Sequence, residues 1–156
     1  MKYPLDHYAL RVWHIEAYVA EFARGGYRVS EKFGYALPDN SLVKAVALTH
    51  SCLPSVFIST PAAIADSTGG LARWLKRYGP GRHHDAYAVD NLQEAMERIA
   101  LPWNTPVICP CGDPLSQVFS KPSLVTGLTT ELLVRGKHRH AFCKHNIPPL
   151  QAQSLK

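Results

Sequence analysis

Two stretches of the chain repeat one pattern of apolar and polar positions. The segments DHYALRVWHIEAYVAEF (6–22) and HHDAYAVDNLQEAMERI (83–99) align at an offset of 77 residues. Each begins with a short alternating run and continues with apolar residues at i, i+3, i+4 and i+7, the spacing of a helix with one buried face. The pattern predicts a strand and then an amphipathic helix in both places, with Asp90 or Asn91 capping the second helix.

Sequence typical of β-strands follows each strand–helix pair. Further strands are predicted near residues 27–33, 42–49 and 55–60 in the first half, and near 106–109, 116–119 and 129–134 in the second. We therefore predict an α+β fold of two tandem βαβββ modules within one domain over 1–156. Module one covers about 1–65, a linker helix 66–80, module two 81–136 and a C-terminal tail 137–156.

Composition and charge narrow the class of protein. The chain has 156 residues, 46% hydrophobic and 19% charged, which is enough apolar sequence for a sizeable core. It contains no apolar run of about 18 residues and no secretory leader pattern, so we expect a cytoplasmic protein without a membrane partner. The net charge of +5 comes from scattered residues without a nucleic-acid-binding motif, so no nucleic acid partner is expected.

The four cysteines admit a second metal hypothesis. Reduced thiols are the default in this setting. Cys109 and Cys111 are separated by one residue, whereas structural zinc sites usually have two or more between paired cysteines. A cluster of these two with His138, His140, Cys143 and His145 is therefore kept as an alternative to the site described next.

Three polar residues occupy positions where a metal site is expected. His7 and His84 fall at matching places in the two predicted first strands, and His83 is predicted to face the other way. Glu131, in the apolar run LTTELLVRG, is a carboxylate that is costly to bury unless it is paired or bound to a metal. Two histidines and one carboxylate with open positions are typical of mononuclear iron(II) sites.

With these residues, the sequence resembles the vicinal oxygen chelate (glyoxalase-like) superfamily over nearly its whole length. The matching motifs are Asp6-His7, GRHHDAYAVDNLQEAM with His84, and TGLTTELLVRG with Glu131. The resemblance implies paired βαβββ modules forming a U-shaped, mostly antiparallel β cup around one divalent metal ion. It does not distinguish Fe²⁺, Zn²⁺, Mn²⁺, Co²⁺ and Ni²⁺, and it is compatible with a homodimer.

One branch of the superfamily resembles the middle of the chain. STPAAIADSTGGLARWLKRYGPGRHHDAYAVDNLQEAM is similar to methylmalonyl-CoA epimerases, in which a glutamine serves as a fourth ligand. Phe57 stands at that position here, and Lys44 stands near the place of the family's catalytic carboxylate. The mixed pattern is similar to small epimerases of secondary metabolism that act on cyclic keto-polyols such as 2-epi-5-epi-valiolone.

A second branch resembles the end of the chain. SQVFSKPSLVTGLTTELLVRGKHRHAFCKHNIPPL is similar to the C-terminal domain of 4-hydroxyphenylpyruvate dioxygenase, an iron(II) enzyme. The resemblance implies that Phe142 and Asn146 belong to a segment covering the substrate pocket, to which Phe57 also contributes. A third possibility is a metal-poor small-molecule binding or resistance protein of the same fold.

The expectation is a metal-dependent epimerase or isomerase that acts on an α-oxygenated ketone through an enediolate. Its partner is a small-molecule substrate, and the length of a single domain favours it over the dioxygenase. No acid or base stands out: His50 and Lys44 are candidates, and Asp85 a further one. His50 is also readable as a polar residue at a loop edge.

Overall fold

Eight strands and four helices make up the described part of the chain, which in this computed structural model covers residues 3–63, 68–110, 115–136 and 143–155. In chain order they are β1 (Leu5–Arg11), α1 (Ile15–Arg24), β2 (Arg28–Ala36), β3 (Leu42–Thr49), β4 (Ser55–Pro61), α2 (Gly70–Tyr78), β5 (Gly81–Ala88), α3 (Leu92–Arg98), β6 (Val107–Ile108), β7 (Ser116–Phe119), β8 (Thr129–Val134) and α4 (Ile147–Ser154). The contacts between residues divide the chain into an N-terminal unit, His7–His83, and a C-terminal unit, Met1–Asp6 with His84–Lys156.

The N-terminal unit has the strand order β2-β3-β4-β1. β1 runs parallel to β4, while β2–β3 and β3–β4 are antiparallel. α1 packs on one face of this sheet, because its apolar residues recur on one side of the helix. The core between them contains Val12, Ile15, Tyr27, Val46, Leu48, Val56 and Ile58.

The C-terminal unit repeats this arrangement with the strand order β5-β8-β7-β6. β5 is parallel to β8, and β7 pairs antiparallel with both β8 and β6. α3 covers one face through a core of Val89, Ala95, Val118 and Leu132. The opposite face has its own buried cluster of Ala86, Cys109, Leu115 and Leu133, with Cys143 packed against it.

The elements confirm the predicted α+β class, the βαβββ order and the mostly antiparallel pairing. The predicted bounds of β3, β7 and β8 agree with the structure, and β6 is two residues shorter than expected. Asn91 caps α3, since its Oδ1 accepts a hydrogen bond from Glu94 N at 3.2 Å. α4 was not predicted. It lies within the predicted C-terminal tail.

Within the described residues, no helix has the length and apolar character needed to cross a membrane.

Candidate metal centre

β5 and β8 place His84 and Glu131 on one face of the C-terminal unit. The parallel register pairs His84 with Thr129 and Ala86 with Glu131. Residues paired across two strands point to the same side, and so do residues two apart along one strand. The side chains of His84 and Glu131 therefore meet beside Ala86, whose small side chain leaves room for them.

His84 and Glu131 form a buried pair. Their side chains are 4% and 2% exposed, and His84 Nε2 lies 3.1 Å from Glu131 Oε2. The ring of Phe119 lies 4.9 Å from the His84 ring, centroid to centroid, and shields it from water. A carboxylate buried to this degree is costly unless hydrogen bonds, a cation or a metal ion compensate it.

Gln117 and Asn146 continue the polar contacts behind Glu131. Gln117 Nε2 donates to Glu131 Oε1 at 2.6 Å, and Asn146 Nδ2 donates to Gln117 Oε1 at 2.9 Å. Both amides are buried. Glu131 thus has one oxygen facing His84 and the other held by an amide.

His7 belongs to the N-terminal unit. It lies on β1, buried, on the same face as Ala9 and Arg11. Ala9 pairs with Phe57 on β4, which is also buried. The predicted pocket residue Phe57 is therefore on the His7 face of this unit, with its ring 5.8 Å from that of Phe33.

The donor set fits a divalent first-row metal ion. His84 and Glu131 each offer one ligand atom to such an ion. Imidazole and carboxylate are common ligands of zinc and of iron, and two ligand atoms about 2.0–2.2 Å from one ion lie about 3 Å apart at a right angle. The 3.1 Å spacing of His84 Nε2 and Glu131 Oε2 is compatible with a shared ion. The ligands do not identify which metal it is.

Three members of the alternative cysteine–histidine cluster lie outside the described residues: Cys111, His138 and His140. The predicted pocket residue Phe142 also lies outside them. Cys109 and Cys143, which are described, pack in the apolar cluster of the C-terminal unit. Asn146 is described and stands directly before α4.

Lys44 and His50, two of the three acid–base candidates, lie away from the His7 face. Ala45 pairs with Ser59, which pairs with Arg11 on that face, so the neighbouring Lys44 points to the side covered by α1. His50 lies beside the Tyr27 ring at 5.0 Å, and its Nδ1 accepts a hydrogen bond from Cys52 N at 3.2 Å. Tyr27 belongs to the α1-side core. Both therefore stay untested predictions, and the contacts of His50 are those of a residue at a loop edge.

His83 is fully buried, as is its neighbour His84. Its orientation away from His84 stays a prediction. Its ring meets that of Trp74 edge-on, with centroids 5.6 Å apart. Trp74 belongs to α2, so this helix covers His83 and keeps it from solvent.

Arg11 was not proposed from the sequence. It is buried, and its guanidinium carbon lies 4.8 Å from the centroid of the Trp74 ring. Burial lowers the pKa of Arg11 to about 9, an effect that the nearby Tyr35 hydroxyl partly offsets, so the guanidinium remains charged at neutral pH. Burial also raises the pKa of Tyr35, although Arg11 and a hydrogen bond with Ser59 oppose this.

Gln117 was also missed. The available signal was its position in the strand SQVF. Gln117 lies two residues before Phe119 and so shares a face with this apolar residue. A buried amide at an alternating position needs a partner. The sequence does not show that this partner is Glu131, because strand pairing is not readable from a single strand.

Solved structures with low sequence identity share this architecture. Methylmalonyl-CoA epimerase from Mycobacterium tuberculosis matches with a TM-score of 0.61 and 16% identity, over 85% of this chain and 87% of that chain. A variant of the Streptomyces coelicolor epimerase in complex with 2-nitronate-propionyl-CoA gives 0.57 and 19%, over 86% and 96%. A hypothetical protein of Bacillus halodurans gives 0.62 and 20%, over 88% and 98%.

The chain has the vicinal oxygen chelate, or glyoxalase-like, fold. No protein-family model and no curated protein matches it. The resemblance expected from the sequence is thereby confirmed at the level of the fold. At identities of 16–20%, the likeness carries no substrate or activity to this protein.

Proposed function

We propose that this vicinal oxygen chelate protein is a metal-dependent epimerase or isomerase that acts on an α-oxygenated ketone through an enediolate. His7, His84 and Glu131 are its proposed ligands for one divalent ion. The observation that carries the proposal is the buried pair of His84 and Glu131, whose Nε2 and Oε2 atoms lie 3.1 Å apart.

The chemistry follows from the ligands and their supports. When bound, a divalent ion polarises a carbonyl oxygen and stabilises negative charge on a neighbouring oxygen. His84 and Glu131 keep a fixed spacing, because Phe119 packs on the imidazole and Gln117 holds the carboxylate. With three protein ligands, such an ion would leave room for two adjacent oxygens of a substrate and would make the α-proton more acidic. Epimerisation would also need a base that takes this proton up and an acid that returns one to the opposite face.

The proposed substrate is a small molecule with vicinal oxygens, such as a cyclic keto-polyol of the 2-epi-5-epi-valiolone type. An acyl-CoA thioester is the competing class, since solved structures of the same fold include methylmalonyl-CoA epimerases with CoA compounds bound. Phe57 stands where the methylmalonyl-CoA epimerase resemblance has a ligand, which favours the first class. The two classes are separable by assay.

A second candidate function is an iron(II) dioxygenase. Two histidines and one carboxylate are the ligand set of many non-haem iron oxygenases, and Phe57 offers no fourth ligand. The buried position of Asn146 at the start of α4 agrees with the resemblance to a covering segment. This candidate requires oxygen for turnover, whereas the isomerase does not.

Metal analysis is the first test of the proposed function. The wild-type protein should contain about one equivalent of metal, and His7→Ala, His84→Ala and Glu131→Ala should each lose it. His14→Ala is the matched control, because His14 is exposed and precedes α1. Full metal content in all three ligand variants would rule out the site.

The second test separates the reactions. Exchange of the α-proton is followed by NMR in deuterated water without oxygen, using cyclic ketones and acyl-CoA thioesters in parallel. Metal-dependent exchange supports the isomerase and identifies the substrate class. Turnover that occurs only with oxygen would establish the dioxygenase instead. Tight ligand binding by the metal-free protein, with no turnover, would indicate a binding protein.

A further inference from the structure

Two buried amides link helix α4 to the proposed metal ligand Glu131. Asn146, directly before α4, donates from Nδ2 to Gln117 Oε1 at 2.9 Å, and Gln117 Nε2 donates to Glu131 Oε1 at 2.6 Å. Asn146 Nδ2 also reaches the Leu115 carbonyl at 3.4 Å. We call the sequence Asn146–Gln117–Glu131 the amide relay. All three residues lie in the C-terminal unit.

The chemistry of the groups fixes the direction of the amide relay. An ionised carboxylate only accepts hydrogen bonds, so Gln117 must present its NH₂ group to Glu131. The carbonyl oxygen of Gln117 then faces Asn146, which must donate a hydrogen bond to it from its own NH₂ group. One residue's amide orientation therefore determines the next.

Asn146 is free to take part because it does not cap its helix. Asparagine at this place normally accepts hydrogen bonds from the backbone N–H of the second or third helical residue. Here those residues are Pro148 and Pro149, which have no N–H, and no side-chain cap is formed. The sequence NIPP thus removes the usual role of Asn146 and leaves its amide directed into the protein.

The position of Asn146 depends on the docking of α4. Ile147 and Leu150 are buried apolar residues of the first turn, and Leu150 N donates to Asn146 O at 3.1 Å. α4 contacts β7, the strand that carries Gln117. If α4 leaves this strand, Asn146 leaves with it, and Gln117 loses the contact that orients its amide.

Glu131 needs this support because a glutamate carboxylate turns readily about its last torsion angle. A charge-assisted hydrogen bond of 2.6 Å on Oε1 fixes the group and keeps Oε2 toward His84. Groups that orient metal ligands in this way commonly contribute to metal affinity.

We propose that Gln117 and Asn146 are positioning residues that couple the docking of α4 to the metal affinity of the Glu131 site. This inference rests on the proposed function, since it requires a metal ion at Glu131. Coupling of this kind is reciprocal: if docked α4 strengthens metal binding, bound metal must stabilise docked α4 by the same free energy.

The test measures both directions of the coupling in the full-length protein. Apo protein is titrated with Co²⁺, whose visible spectrum reports the ligand geometry, and hydrogen exchange of α4 is measured with and without Zn²⁺. The variants are Gln117→Met, which keeps the length of the side chain but removes its donor, and Asn146→Ala. Gln153→Ala is the matched control, because it removes an α4 amide that donates to Thr105 O rather than to the relay.

We expect Gln117→Met to weaken Co²⁺ binding about 10- to 100-fold and to change the spectrum of the bound ion. Asn146→Ala should act in the same direction, and the double variant should be no weaker than Gln117→Met alone, because Asn146 acts through Gln117. Zn²⁺ should slow hydrogen exchange of α4 in the wild type and in Gln153→Ala, and not in Gln117→Met. If Gln117→Met does not fold, Asn146→Ala carries the same comparison.

Two failures are distinguishable. If Glu131→Ala abolishes Co²⁺ binding while Gln117→Met and Asn146→Ala bind with wild-type affinity and spectrum, the relay is overturned and the metal site stands. If Glu131→Ala binds Co²⁺ as the wild type does, the proposed metal site is overturned, and the coupling with it. If Gln153→Ala weakened Co²⁺ binding as much as the relay variants do, the cause would be a general loss of α4 packing, and the relay would also be overturned.

Discussion

The N-terminal and C-terminal units share one strand register and differ in the chemistry placed on it. In each, an alanine two residues after a histidine pairs with the last strand of its module: Ala9 with Phe57, and Ala86 with Glu131. The same register position therefore carries a ring in one unit and a carboxylate in the other. The repeat fixes where a functional side chain lies, but not what it is.

The neighbouring strand extends this contrast. Phe57 pairs with Ala47 on β3, whereas Glu131 pairs with Phe119 on β7. Ala45, two residues before Ala47, corresponds to Gln117, two residues before Phe119. The N-terminal unit thus carries small side chains where the C-terminal unit carries the residues that shield and orient a ligand. At these register positions, the residues that shield and orient a proposed ligand lie in module two alone.

Substitutions at Glu131 and Phe57 should show the largest difference between the two units, in metal content. Glu131→Ala should weaken metal binding on the order of a hundredfold or more, since a ligand contributes more than the residues that orient it. Phe57→Leu should keep the metal content, because Phe57 offers no ligand atom. Metal-to-protein ratios after dialysis measure both. If Phe57→Leu lost its metal and Glu131→Ala kept it, the assignment of the ligand at this register position to the C-terminal unit would be wrong.

Truncations in the two helix-covered cores should have large and similar effects. Ile58 of the N-terminal unit and Leu132 of the C-terminal unit are both fully buried. We expect Ile58→Ala and Leu132→Ala each to lower the free energy of unfolding by about 2–5 kcal/mol, as seen for buried aliphatic residues. Denaturant unfolding measures the change. Val125→Ala, at an 86% exposed position, should leave stability nearly unchanged.

The helix starts of the two units should respond in opposite directions. Asn91 caps α3 through its side chain, whereas His14 at the start of α1 forms no side-chain cap in an extended backbone suited to one. Asn91→Ala should cost about 1 kcal/mol, and His14→Asn should add about 0.5–1 kcal/mol. Thermal unfolding of the two variants tests this. A loss of stability in His14→Asn would show that the histidine has another role there.

The smallest effect concerns the loop before β3 in the N-terminal unit. Hydrogen bonds from Ser41, with further ones from Gly70 N and Arg73, lower the pKa of Asp39 despite partial burial. A carboxyl with a lower pKa in the folded state stabilises the protein at pH values above its unfolded pKa of about 3.9, and this stability is lost as the pH falls through the folded value.

Asp39→Asn should therefore lower the melting temperature at pH 7, and its difference from the wild type should narrow below about pH 4. Ser41→Ala is the control that removes the largest contribution, and it should reproduce part of the effect. A difference that is constant from pH 7 to pH 3 would contradict the assignment.

The repeat made most of the fold predictable. Alternation and helical spacing are local properties, so β3, β7, β8 and the start of α3 could be placed from the chain alone. α4 could not, because it is short, has prolines at its second and third positions and shows no clear amphipathic spacing; burial against β7 defines it.

The ligand candidates could be predicted, but their surroundings could not. His84 and Glu131 stand out because charged or polar groups in apolar strands need partners. Gln117, Arg11 and the burial of His83 depend on which strands and helices lie next to one another. That information is distributed over residues far apart in the sequence, such as Arg11 beside Trp74.

X-ray absorption spectroscopy of the metal-loaded protein tests the central claim most directly, because it counts imidazole ligands. Loaded with Zn²⁺, the wild type should show two imidazoles and only nitrogen or oxygen in the first shell. His7→Ala and His84→Ala should each leave one imidazole on whatever ion remains. Sulfur scattering, or two imidazoles retained in either variant, would contradict the site formed by His7, His84 and Glu131.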